Sequence, residues 1–179
     1  MALSAGSAAG QFVYDESIDG DLSDDRTMPD VLIAAEGSNT IRGTVIADDL
    51  EYFRFEVPVG LELAAINVLE YTSLDPLAFL AVQTGTEFTV DPLNPDPGPL
   101  LGYVLYGPPE EGTNVLDDMG ASFGSIGFSG SLPAGDYVFW NQQTGIDLTT
   151  YELEFVLVPG PAGVGVLALA GLAAARRRR

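Results

Sequence analysis

The chain has 179 residues and sets 26 Asp and Glu against seven Arg, with no Lys, His or Cys, for a net charge of −19. That charge excludes nucleic acid as a partner and makes the acidic part of the chain repel anionic membrane surfaces. The missing residue types exclude disulfides, Ser-His-Asp and Cys-His catalysis, Schiff-base lysines, the Walker lysine and the usual zinc sites.

Residues 1–10 are small and uncharged, with Ser7-Ala8-Ala9 spaced like the cleavage end of a secretory signal peptide. The expectation for them is a leader or the remnant of such a signal. Residues 11–157 read as one β-domain, long enough to bury a core without covalent staples. Candidate strands are residues 11–14, 31–35, 40–46, 51–57, 63–71, 77–83, 100–106, 137–142 and 150–157. Alternation is clearest in two of them. Phe53, Phe55 and Val57 share one face against Tyr52, Arg54 and Glu56; Tyr151, Leu153, Phe155 and Leu157 share one against Glu152 and Glu154. Residues 61–69 also admit a helix, and residues 115–119 a single helical turn. Gly, Pro and Asp clusters separate the strands, and residues 91–99, with four prolines, predict an exposed loop. Short strands at this spacing predict an all-β, antiparallel two-sheet sandwich of the jelly-roll kind, followed by a short C-terminal hydrophobic helix.

Three sets of residues are candidates for chemistry in the β-domain. Asp15, Asp19, Asp21, Ser23 and Asp25 lie in an acidic segment where Gly20 permits a tight turn. Calcium takes six to eight oxygen ligands, so this loop is a candidate calcium site, although its glycine offset is not that of an EF-hand. Asp48-Asp49 and Asp117-Asp118 are weaker versions of the same idea. Trp140, Asn141 and Gln142 are a candidate carbohydrate contact, an aromatic face beside amides suited to hydroxyl groups. Tyr103, Tyr106, Tyr137 and Phe139 either extend that platform or fill the core. Glu70, Asp117 and Asp136 are formal candidates for a two-carboxylate hydrolase, but 26 acids form pairs by chance.

Residues 158–179 have a different character. Val158-Pro159-Gly160-Pro161-Ala162 leads into an apolar run that stops at Arg176-Arg177-Arg178-Arg179. The fourteen residues from 162 to 175 make ~21 Å of helix at 1.5 Å per residue, short of the roughly 20 residues of a comfortable span. Upstream Val156, Leu157 and Val158 and snorkelling arginines extend it into a marginal, temporary anchor. Four of the seven arginines lie here, which predicts a cytoplasmic C-terminus and an exported domain.

This order of parts resembles the PEP-CTERM sorting signal of exosortase substrates, with Pro159-Gly160-Pro161 where the signature has Pro-Glu-Pro. The resemblance implies export across an inner membrane and transient anchoring. An exosortase-type membrane peptidase would then cut near the Pro-x-Pro motif and release the protein to the cell surface or an exopolysaccharide matrix. Removing the four arginines would make the net charge four units more negative. Within the β-domain, residues 48–60, residues 132–137 and residues 150–153 resemble the opening and closing strands of bacterial pre-peptidase C-terminal domains, which are accessory β-sandwiches. The expected function is therefore non-enzymatic, structural or adhesive. The alternative is a carbohydrate-binding module for exopolysaccharide.

Overall fold

The computed structural model describes residues 11–161 apart from Thr144. The described residues form nine strands and two short α-helices: β1 (Gln11–Asp15), α1 (Glu16–Asp19), β2 (Asp30–Val31), β3 (Gly37–Val45), β4 (Leu50–Val57), β5 (Leu61–Thr72), β6 (Ala78–Thr84), β7 (Gly102–Tyr106), α2 (Leu116–Gly120), β8 (Gly135–Gln143) and β9 (Thr149–Pro159), with a 3-10 turn at Pro108–Glu110 between β7 and α2. They form two sheets, ordered β1-β3-β9-β5 and β2-β4-β8-β6-β7. The chain is thus mostly β with two facing sheets, as expected. It is not wholly antiparallel: β1 pairs with β3 and β2 with β4 in parallel. The N-terminal segment causes this, because it lies along the edge of one sheet and then crosses to the matching edge of the other.

The inward side chains of β3, β4, β8 and β9 form the core between the sheets. Phe155 of one sheet meets Phe53, Phe55 and Phe139 of the other edge to face, with ring centroids 5.8, 5.3 and 5.2 Å away. The alternation holds along β9 and from Phe53 to Val57 of β4, where Glu51, Tyr52 and Phe53 are buried in succession because Tyr52 lies in a second core on the outer face. In β5 it does not. Its buried apolar residues are Leu63, Ile66, Val68 and Tyr71, because the register against β9 slips between Leu63 and Ala65 and again between Val68 and Glu70. Each slip adds one residue to the strand. The resulting spacing of three, two and three is what gives residues 61–69 their helical look; the segment is a strand.

The strand expected at residues 31–35 is reduced to Asp30–Val31. The Asn39 side chain accepts the Ala35 N–H at 2.8 Å and donates to the Ala35 and Gly37 carbonyls. That turn satisfies the backbone which further pairing with β4 would have used. Outer strand β5 is not left open either: Val68 N–H donates to Thr113 O and Val115 N–H to Ile66 O, so residues 111–115 cover its edge.

A second, smaller core lies on the outer face of the β4-β8-β6 sheet. Tyr52, Ala81, Phe88, Val90, Leu100, Val138 and Trp140 form it. The segment before the proline-rich loop acts as its lid. Arg26 fastens that lid by donating to the Phe88 and Thr89 carbonyls at 3.2 and 3.1 Å. Gln83 adds a bond to the Thr89 N–H and another to the Pro99 carbonyl.

Candidate functional site

At one end of the core the inward-facing positions turn polar. In β4 the residue in phase with Phe53, Phe55 and Val57 is Glu51. In β8 the residues in phase with Tyr137 and Phe139 are Asn141 and Gln143. All three are buried. The Glu51 carboxyl accepts from Asn141 Nδ2 at 2.6 Å, and Asn141 Oδ1 accepts from the Tyr106 hydroxyl at 2.8 Å. Gln143 donates to the Tyr71 hydroxyl at 3.4 Å and to Thr149. Both amides are therefore held in fixed orientations from several strands.

A second carboxyl enters this layer from α1. Gly43 of β3 is the inward residue between Ile41 and Val45, and it leaves a gap. The Glu16 carboxyl fills it: a Cβ on Gly43 would stand 2.4 Å from Glu16 Cδ. Glu16 Oε2 accepts the Thr44 N–H at 2.7 Å. In this layer, among the described residues, three buried oxygens make no hydrogen bond of good geometry, Glu16 Oε1, Glu51 Oε1 and the Tyr151 hydroxyl, with Tyr151 and Glu16 both close to Glu51. Burial pushes the Glu51 carboxyl well above the ordinary range; repulsion from Glu16 adds to this and the Asn141 hydrogen bond opposes it. The Tyr151 phenol is pushed up by burial and then by the charges of Glu51 and Glu16.

The acidic segment flagged in the sequence is divided among local tasks. Asp15 caps α1 by accepting from Ser17 N and Oγ, and it pairs with Arg42. Asp19 accepts the Asp15 N–H at 2.9 Å. Asp25 accepts from Thr27 N and Oγ1. The Ser23 hydroxyl donates to Met28 O and accepts from the Asp25 N–H. Asp21 is exposed. Among the described residues, no three acidic side chains converge to hold a metal ion. What the fold does gather is Asp49 with Asp21 and Asp24: burial, then these two charges, push the Asp49 carboxyl up to about 6. Glu70, Asp117 and Asp136 lie on β5, α2 and β8, and Asp136 is 4.0 Å from Arg54.

The aromatic platform is not formed as drawn. Trp140 is 3% exposed and packs against Phe79, Phe88 and Tyr52. Asn141 is buried facing the other way, because successive residues of a strand point to opposite faces. Of the three expected sugar contacts only Gln142 is partly accessible. The lid over residues 52 and 140, drawn from far along the chain, was invisible to strand periodicity.

Val158 and Pro159, expected to open the tail, instead continue β9 and pair with Glu62 and Leu61. Gly160 N–H donates to Gly60 O at 2.8 Å, and Pro161 is exposed. The leader at residues 1–10, Ala162, the apolar run and Arg176, Arg177, Arg178 and Arg179 lie outside the described residues. Among the described residues no helix is long and apolar enough to cross a membrane. No motif reveals Glu51 or Glu16; the signals in the chain are the period-two phase of Glu51 with Phe53 and the glycine at position 43 between Ile41 and Val45. No protein-family model matches the chain, and neither does a curated protein or a solved structure.

Proposed function

We propose that this is an exported, non-enzymatic protein of the cell surface or extracellular matrix, sorted by its C-terminal segment, with the sandwich in a structural or adhesive role. The observation that carries the reading is the sequence from Val158 to Arg179: a Pro-x-Pro motif, a Gly/Ala/Leu-rich run too short for a comfortable span, and an arginine stop. In this reading the apolar run is a short helix that anchors the precursor in the inner membrane. An exosortase-type peptidase removes it. Exopolysaccharide is the polymer in which the mature domain resides.

The described fold supports this in one respect. β9 finishes at Pro159 and the last hydrogen bond described for it is from Gly160. A cut after Gly160 would therefore leave every strand of both sheets intact. A cut before Pro159 would remove the end of β9, so processing on the C-terminal side of the motif is expected. The test is the intact mass of the native protein in membrane and extracellular fractions. A mature extracellular species that ends near residues 160–162 and lacks the arginines is the expected result. Full-length chain in every fraction, or precursor free in the cytoplasm, would remove the reading.

A further inference from the structure

We propose that Glu16 and Glu51 share one proton, and that this proton latches the N-terminal arm β1–α1 onto the end of the sandwich. Buried polar atoms in folded proteins are hydrogen-bonded with few exceptions, and each unpaired one destabilises the fold. Here three buried oxygens, Glu16 Oε1, Glu51 Oε1 and the Tyr151 hydroxyl, make no hydrogen bond of good geometry, although Tyr151 and Glu16 both stand within hydrogen-bonding range of the Glu51 carboxyl. The other carboxylate oxygens are committed, Glu51 Oε2 to Asn141 and Glu16 Oε2 to the Thr44 amide. Asn141 cannot turn to help, because its own oxygen holds the Tyr106 hydroxyl. Two carboxylates bring no hydrogen to this space, and Tyr151 brings one. One further proton on the carboxyl pair gives each of the three oxygens a donor or an acceptor. A calcium ion, by contrast, needs six to eight oxygens, and no three acidic groups among the described residues converge on a point.

The pair bridges elements of the two sheets. Glu51 stands on β4 of one sheet. Glu16 stands on α1, which follows β1 at the edge of the other sheet and has no buried residue of its own. The titratable groups acting here are Glu16 from α1, Tyr151 from β9 and Tyr106 from β7. Tyr71 from β5 adjoins Tyr106, and Asp49 lies within range of the charges of Glu16, Asp21 and Asp24. All are acids or phenols. Loss of the shared proton places a second negative charge in a buried space with no counter-ion among these groups. The weaker attachment gives way, and that is the arm.

The sign of the pH effect follows from linkage. A carboxyl whose titration is raised by folding contributes stability that is complete below the unfolded value of about 4.3 and is lost as pH rises through the folded value. Each pH unit in that window is a tenfold change in the folding constant, or ~3–5 °C in Tm for a chain of this length. Asp49 adds a smaller loss of the same sign up to about pH 6, so the informative quantity is the difference between wild type and variant.

The experiment is thermal unfolding of the full-length chain from pH 5 to 8, wild type beside Glu51→Gln and Glu16→Gln. Each amide carries the hydrogen that the pair lacks when ionised. Both variants are expected to gain on wild type by at least ~4 °C between pH 5 and 8. A difference that stays constant over that range overturns the proposal. Should a variant fail to fold, carboxyl-carbon NMR of wild-type protein decides: the proposal requires the pair to hold one proton well above the ordinary carboxylate range, and ordinary titration of both carboxyls refutes it. Amide exchange at Thr44 should quicken, beyond the normal base dependence, once the pair has lost its proton and Glu16 withdraws. The same melts run with millimolar calcium against chelator give the last arm. A calcium-dependent rise in Tm at pH 8 that Glu51→Gln abolishes would mean a bound cation and not a shared proton.

Discussion

Phe155→Ala tests whether the sandwich is held as its ring contacts indicate. Phe155 projects from β9 of one sheet and is 1% exposed. It meets three rings of the opposite sheet, Phe53, Phe55 and Phe139, at interplanar angles of 82, 78 and 72°. Truncation removes the ring's burial, leaves a cavity among rigid neighbours and deletes all three edge-to-face contacts. Phe→Ala in such a site costs about 3–5 kcal/mol, and the ring contacts favour the upper half of that range. For a chain of this length the loss amounts to ~10 °C or more in Tm. Phe155→Leu keeps most of the volume and should lose only about 1–2 kcal/mol, the share due to aromatic geometry. Urea unfolding with a shared m-value is the assay. A loss below about 1 kcal/mol for Phe155→Ala, typical of an ordinary site, would show that this ring does not couple the sheets.

Three further outcomes are expected. Asn39→Ala removes the bonds that turn residues 35–37 and also the one to the Phe155 carbonyl; it should lose about 2–3 kcal/mol in the same urea assay, as buried groups are left unpaired. Asp15 is held below the ordinary carboxylate range by the Ser17 hydroxyl and then by Arg42. Its contribution is therefore present above an unfolded value of about 3.9 and lost as pH falls through the folded one. Asp15→Asn should be less stable than wild type at pH 7 and should converge with it in acid melts. Trp140, the single tryptophan, should emit as a buried indole and resist acrylamide quenching. Soluble polysaccharide should leave that emission unchanged, and Phe88→Ala, by loosening the lid, should expose it.

The class of fold and most strand positions follow from the residue pattern, because period two needs only local information. In β4 and β9 the core-facing residues follow from that phase alone. Composition alone removed the histidine, cysteine and lysine chemistries. The tail, from Val158 onward, is legible only as sequence, and its sorting role is a proposal that rests there. Local information failed where one strand depends on another. The extra residues in β5 gave it a helical spacing, since a bulge is defined by the register of the partner strand. Trp140 and Asn141 are neighbours in sequence yet serve two different cores, and what covers each comes from distant segments. The acidic loop looked like one ligand set, but the turns and Arg42 divided its members. The pairing of Glu16 with Glu51 across the glycine gap at residue 43 was decided by tertiary structure alone. It requires α1 to fold back over β3 and the two sheets to close, and neither event leaves a mark in the pattern of any single strand.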